Sequence, residues 1–144
     1  MIVRNSKAEW LGDLKAGSGT IALGSGAYTG PYSFQSRFES GTGTNPEELL
    51  AGAHAGCFSM AFSLALTIAG YAPKKVHTTA SVKLEPSPGG GFGITAIDLV
   101  MEAVVPEILD EQFQKIAADA KATCPISKAL AAVPISLRAT LVAE

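Results

Sequence analysis

The chain has 144 residues, 47% of them hydrophobic and only 17% charged, with a formal net charge of −2 and a pI near 5.7. A mildly acidic chain without a basic cluster is a poor match for nucleic acid or an anionic membrane, so neither is expected as a main partner. Charge is scarcer than the roughly 25% usual in soluble domains. Part of the surface of so small a chain is therefore expected to be covered, most simply in a two-fold homodimer.

The first ten residues carry Arg4, Lys7 and Glu9 and no apolar run, so no secretory signal is expected. That places the protein in a reducing, cytoplasmic compartment and makes its two cysteines thiols rather than a permanent bridge. Short strands are predicted at Ala8–Leu11, Thr20–Leu23 and Tyr32–Phe38, separated by Gly17-Ser18-Gly19 and Gly24-Ser25-Gly26 turns. In the third, Phe34, Ser36 and Phe38 share one face and Arg37 points the other way. A helix starts next, with Asn45 as N-cap, Pro46 at the first position and Glu48 as capping-box partner. Its apolar periodicity runs through Phe58, Phe62, Ala65, Leu66 and Ala69 to Gly70, with Gly52 and Gly56 predicting a kink, a close approach or a break.

Residues 49–73 contain no Asp, Glu, Lys or Arg, enough length to cross a bilayer. The stretch is built on Ala, Gly and Ser, includes His54 and lacks an aromatic belt, which fits a helix buried in a soluble protein better. Val76–Leu84 and Ile94–Val105 form a hairpin about the Pro86–Gly91 turn. Asp110 caps a helix with Phe113, Ile116, Ala117 and Ala120 on one side. A short helix runs from Cys124-Pro125 to about Ala132, and a strand spans Pro134–Val142. The expected fold is α+β, two small antiparallel sheets around a central buried helix. It is one domain over 1–144, with a β lobe at 1–44, a central helical segment at 45–73 and a ββααβ lobe at 74–144.

Few residues offer chemistry. A free cysteine such as Cys57 is commonly a small core residue, but if the helix breaks at Gly52–Gly56, Cys57 opens its second half and its thiolate is favoured. Cys124 has the stronger local case, because the following proline makes it an N-cap facing unpaired backbone N–H groups. The two are too far apart in sequence for a Cys-X-X-Cys motif. Arg37 and Glu47 form a charged pair that is ordinarily a solvated bridge. Anchored between Phe34 and Phe38, however, Arg37 supplies a fixed positive charge able to hold a thiolate. In a straight helix Glu47 and Cys57 stand ten residues apart, about 15 Å of rise, which rules out direct contact without a bend. His54 and Cys57, with Cys124 and His77, have the residue types of a zinc site; such spacings arise often by chance, and no metal is expected.

The run from Gly43 to Leu50, with Asn45-Pro46-Glu47, leads into Ala53-His54-Ala55-Gly56-Cys57-Phe58-Ser59-Met60. Joined to a late Cys124-Pro125, it resembles the osmotically inducible protein C (OsmC) family, related in fold to the organic hydroperoxide resistance proteins. The resemblance covers nearly the whole chain. It implies a cysteine-based, thiol-dependent peroxidase of organic hydroperoxides, and more weakly of hydrogen peroxide, in an interwound homodimer with sites at the interface. It implies that Cys57 is the peroxidatic thiol, Cys124 the resolving thiol, and Arg37 and Glu47 the activating pair. That assignment opposes the local helix reading, which favours Cys124 as thiolate. An adjacent guanidinium in a dry pocket can outweigh a helix terminus. Phe34, Phe38, Phe58, Met60 and His54 are candidate walls of an apolar substrate pocket, with core packing as their commoner role. No cofactor is expected. An external dithiol, with lipoyl groups among the candidates, resets the enzyme during oxidative or osmotic stress. The alternative is a non-catalytic metal- or lipid-binding dimer.

Overall fold

A computed structural model describes all 144 residues, in two compact units, Met1–Leu49 and Leu50–Glu144. The first is an antiparallel sheet of β1 (Ser6–Leu11), β2 (Ser18–Leu23) and β3 (Thr29–Tyr32), followed by a short helix α1 (Phe34–Phe38). Gly19 pairs with Trp10 on one side and Tyr32 on the other. A Cβ there would lie 2.3 Å from the Tyr32 ring and 2.7 Å from the Trp10 ring. Only glycine lets the two aromatics close over the strand, with ring centroids 5.3 Å apart.

The third expected strand is corrected. Only Tyr32 of Tyr32–Phe38 is strand, and the rest is α1. Ser33 caps that helix in a reciprocal box with Ser36, and Phe34 and Phe38 then meet as an i,i+4 pair at 5.1 Å. The alternation of Phe34, Ser36 and Phe38 was compatible with either element; the cap decides it.

The long helix α2 (Pro46–Ile68) begins as its sequence predicts, with the Glu48 amide donating to Asn45 Oδ1 at 2.8 Å. The Glu48 carboxylate does not return to Asn45 but accepts from the Thr44 hydroxyl. At its end Gly70, at φ +93°, donates to Thr67 O while Tyr71 donates to Leu66 O, a Schellman closure. The helix is continuous through Gly52 and Gly56, so the expected break is absent and Cys57 does not open a helix. A Cβ at either glycine would touch nothing within 4 Å, which excludes a close approach inside the chain.

The second unit packs this helix on a sheet of β4 (Lys75–Pro86), β5 (Phe92–Val104) and β6 (Ile135–Leu141), with α3 (Asp110–Thr123) and α4 (Pro125–Ala129) between the last two strands. The β4–β5 hairpin is antiparallel, but β6 joins β5 in parallel, so the expectation of two antiparallel sheets is corrected to one antiparallel and one mixed sheet. The connection through α3 and α4 is long enough to bring the chain back to the same end, as a parallel neighbour requires. The core is an i,i+4 ridge of α2 (Phe58, Phe62, Leu66), alternate residues of β5 (Ile97, Leu99, Met101, Ala103) and one face of α3 (Phe113, Ile116, Ala117, Ala120). Phe113 meets Phe62 edge-on at 5.2 Å. Leu109, not Asp110, occupies the N-cap of α3, and Asp110 lies in the first turn, where its charge suits the helix dipole.

The expected burial of α2 holds for one face only. Met60, Leu64 and Ile68, at 77%, 61% and 78% exposed, continue the row begun by Gly52 and Gly56. The helix is long and apolar enough to cross a membrane by composition, yet its opposite face is committed to a protein core and holds His54 there.

Candidate active site

In the first unit the site residues are held by charge-assisted hydrogen bonds. Ser36, buried in α1, donates its hydroxyl to Thr44 O at 2.7 Å, and Asn45 Nδ2 donates to Ser36 O. These ties fix α1 against the first turn of α2. Across that junction Arg37 grips Glu47 through Nε to both carboxylate oxygens (3.1 and 3.2 Å) and Nη2 to Oε1 (2.7 Å). Glu47 is almost fully buried and sits in the first turn of a 23-residue helix, where a carboxylate is favoured. The Arg37 guanidinium also lies 5.2 Å from the Phe38 ring centroid. Held from both sides, it presents its remaining N–H donors in a fixed direction. Beside it opens a groove of about 190 Å³ lined by Trp10, Leu14, Tyr32, Phe34, Arg37 and Phe38, among others. Trp10 and Tyr32 were missed from sequence; the signal was Gly19, set between two aromatics in the strand register.

In the second unit the two cysteines, 67 residues apart in the chain, are neighbours, with Sγ–Sγ 2.8 Å. Cys57 flanks the buried ridge of α2 and is half-buried, whereas Cys124 is completely buried. Cys124 is at once the C-cap of α3 and the N-cap of α4, as the Cys-Pro pair predicts. Its N–H donates to Ala120 O at 2.9 Å and its carbonyl accepts from Lys128 N at 3.0 Å, so its backbone is pinned from both helices.

The surroundings of the sulfurs differ in sign. Burial pushes the Cys57 thiol up, and the neighbouring Cys124 adds to this; the Ile126 amide only partly opposes it. Burial also pushes Cys124 up, but donors outweigh it. The Cys57 thiol, the Ser127 amide and hydroxyl, and the Ile126 amide bring Cys124 below the usual thiol range. None of the amides makes a full capping hydrogen bond to the sulfur. Within this unit Cys124 is, of the two thiols, the one favoured as thiolate.

The other expected pocket residues separate. Phe34 and Phe38 line the groove, Phe58 belongs to the core, and Met60 is exposed on the far row of α2. His54 is completely buried, with Nε2 2.8 Å from Ser127 Oγ and Nδ1 without a partner. Burial lowers its basicity. The zinc alternative is not assembled: His77 lies on the exposed face of β4, opposite Glu102, and no group of three His, Cys, Asp or Glu side chains is arrayed to hold a metal. Ser127 was also missed; the signal was a lone hydroxyl three residues after Cys124 in a short apolar helix.

Comparison with known proteins gives the chain its family. The chain is 48% identical over 132 residues to peroxiredoxin OsmC of Escherichia coli, covering 91% of this chain and 92% of that one. It is 36% identical over 90 residues to organic hydroperoxide resistance protein-like 1 of Staphylococcus epidermidis, covering 62% of this chain and 63% of the relative. The crystal structure of the organic hydroperoxide resistance protein OhrB of Bacillus subtilis superposes with a TM-score of 0.73 at 24% identity, over 96% of this chain and 98% of the other. Residues 39–138, the span from the end of α1 into β6, match the profile of the OsmC-like proteins, and the chain belongs to that family.

Proposed function

We propose that the chain is a cysteine-based peroxidase that reduces organic hydroperoxides, and more weakly hydrogen peroxide, with Cys57 as the attacking sulfur. The observation that carries this reading is the 2.8 Å separation of two free thiols, one accessible and one buried. A disulfide needs about 2.05 Å, so closure requires only a small movement. The Cys57 thiolate attacks the distal peroxide oxygen, the alcohol leaves, and Cys57 becomes a sulfenic acid. Cys124 then displaces that oxygen as water and forms the disulfide. Accessibility supports the order, since a buried Cys124 is out of reach of a bulky peroxide while Cys57 is not.

Electrostatics add a condition. Because its own unit holds the Cys57 thiol up, Cys57 becomes the nucleophile only beside a cation. Arg37, oriented by Glu47, is our candidate for that charge and for stabilising the departing oxygen. Phe34, Phe38, Trp10 and Tyr32 give the Arg37 groove an apolar lining suited to the organic part of the substrate. An external dithiol, lipoyl groups among the candidates, resets the disulfide by exchange. The exposed row of α2 (Gly52, Gly56, Met60, Leu64, Ile68) supports a homodimer, since small and apolar residues in a stripe let two helices pack closely. We place the protein in the reducing cytoplasm, answering oxidative or osmotic stress.

The test is a thiol count before and after one equivalent of cumene hydroperoxide. Both thiols of each chain are expected to vanish and to return with dithiothreitol; thiols untouched by the peroxide would end the proposal. For the dimer, sedimentation at micromolar concentration is expected to give twice the 14.8 kDa chain mass, and a monomer would remove that element.

A further inference from the structure

One polar chain in the core of the second unit is not used by the mechanism above. His54, on the buried ridge of α2, reaches across to α4, its Nε2 2.8 Å from Ser127 Oγ. Both residues are buried, and the next buried position on that ridge, Phe58, belongs to the apolar core. A polar pair in such a place costs desolvation and needs a reason. Ser127 stands at the third position of α4, whose N-cap is Cys124, so its hydroxyl lies on the turn that carries the sulfur, and it contributes to lowering the Cys124 thiol. A hydroxyl has a single proton. If Ser127 gives it to Cys124, its oxygen must accept from His54 Nε2–H, which leaves Nδ1 as a bare lone pair. Nδ1 is the one buried side-chain atom without a hydrogen-bond partner; the opposite tautomer would bury an unpaired N–H there. Proton placement and orphan atom thus agree on one direction, His54 to Ser127 to Cys124.

We propose that His54 aims the Ser127 hydroxyl at Cys124, making Ser127 the donor that holds Cys124 as a thiolate when it resolves oxidised Cys57 and when it departs during reduction. Ser127 touches a reacting atom; His54 is a positioning residue acting through it. The inference rests on the peroxidase reading above and deepens it. In resolution, the Cys124 sulfur attacks the Cys57 sulfur, the S–S bond forms and the S–O bond breaks. The hydroxide leaves as water, carrying the proton that Cys124 gave up. In reduction, one thiol of the external dithiol attacks the accessible Cys57 sulfur and Cys124 leaves with the bonding electron pair. A leaving thiol that is better stabilised as thiolate leaves faster. The second thiol of the reductant then frees Cys57, and the reductant becomes its own disulfide. The titratable group against the Cys124 sulfur is Cys57 from α2, with His54 one contact away through Ser127. Helices α3 and α4 add Lys121 and Lys128 within four residues, and the core positions of β5 carry no charge.

The full-length protein is mixed with one equivalent of cumene hydroperoxide and quenched over time. Cys57 sulfenic acid is trapped with dimedone, and the disulfide is counted by mass spectrometry. Ser127→Ala and His54→Leu are expected still to form Cys57 sulfenic acid but to close the disulfide about tenfold more slowly than the wild type, the effect of one hydrogen bond to a charged sulfur. The midpoint of the closure pH profile is expected to rise by about one unit. Ser127→Thr, which keeps a hydroxyl, is expected to keep fast closure. Ser127→Ala removes only one oxygen and carries the test if His54→Leu does not fold. Closure at the wild-type rate with an unmoved profile in Ser127→Ala would overturn the inference, as would equal slowing by Ser127→Thr, which marks a packing effect. Sulfenic acid missing from the wild type would sink the peroxidase reading and this inference together. Sulfenic acid formed normally, with closure unaltered in the variants, sinks this inference alone.

Discussion

The two units hold their candidate site residues by opposite means. In Met1–Leu49, Arg37 and Glu47 are held by three short hydrogen bonds at a partly open surface, their side chains 37% and 11% exposed. In Leu50–Glu144, Cys124 is completely buried and Cys57 half-buried, and both are positioned by helices that share a core of Phe58, Phe62 and Phe113. The Arg37–Glu47 pair joins a half-exposed guanidinium to an almost buried carboxylate, and such a pair contributes less to folding than a filled apolar core does. In the second unit the same packing that places the sulfurs also keeps the fold together, so chemistry and stability are coupled there.

The sharpest break between the roles is Cys57→Ser, expected to abolish hydroperoxide consumption in a peroxide-depletion assay. Residual turnover near the wild-type rate would remove Cys57 from the mechanism. Cys124→Ser is expected to allow one turnover and then leave sulfenic acid on Cys57, visible by dimedone labelling; sustained dithiol-driven turnover through a disulfide would contradict it. Phe62→Ala, at the centre of the core, is expected to lower unfolding stability by about 3–5 kcal/mol in urea. Arg37→Ala is expected to slow peroxide attack about a hundredfold, as expected of losing a charge-stabilising donor, while costing about 1–2 kcal/mol of stability by the same denaturation, because the almost buried Glu47 loses its partner. If Phe62→Ala and Arg37→Ala destabilise alike, the contrast between the units disappears.

What was legible in sequence follows the range over which each feature is determined. The inner face of α3 could be read residue by residue, because Phe113, Ile116, Ala117 and Ala120 repeat at helical spacing over about two turns and all four are buried. The ends of α2 were equally plain, since Asn45-Pro46 and Gly70 act within a few residues. Helix α1 was not, because five residues show no helical period and Phe34, Ser36 and Phe38 alternate as a strand would. The parallel β6 was missed because its edge and direction depend on where α3 and α4 deliver the chain, which nothing within Ile135–Leu141 encodes. The cysteines were visible singly, Cys124 with its cap and Pro125. Their contact across 67 residues, and that of His54 with Ser127 across 73, exist only once α2 and α4 are packed.

The weakest lever on the comparison is pH, and it acts on the second unit. Burial lowers the pKa of His54 below its ordinary value of 6.5, so between that value and the folded one the unfolded chain binds a proton that the folded chain refuses. Stability is therefore whole above about pH 6.5 and is lost as pH falls below it, by at most about 1.4 kcal/mol per unit for one proton. Asp98 works in the same direction but in a lower window. The Ser136 hydroxyl and Lys83 hold its carboxyl below 3.8, so its contribution persists until pH falls beneath that value. Urea midpoints at pH 7.5 and 5.5 straddle the onset of the His54 window and both lie above that of Asp98. The wild type is expected to lose stability between them, and His54→Gln, with nothing to protonate, is expected to lose less. Equal losses would mean that the imidazole is not kept neutral by the core, and the dry surroundings assigned to Cys124 would lose their nearest independent witness.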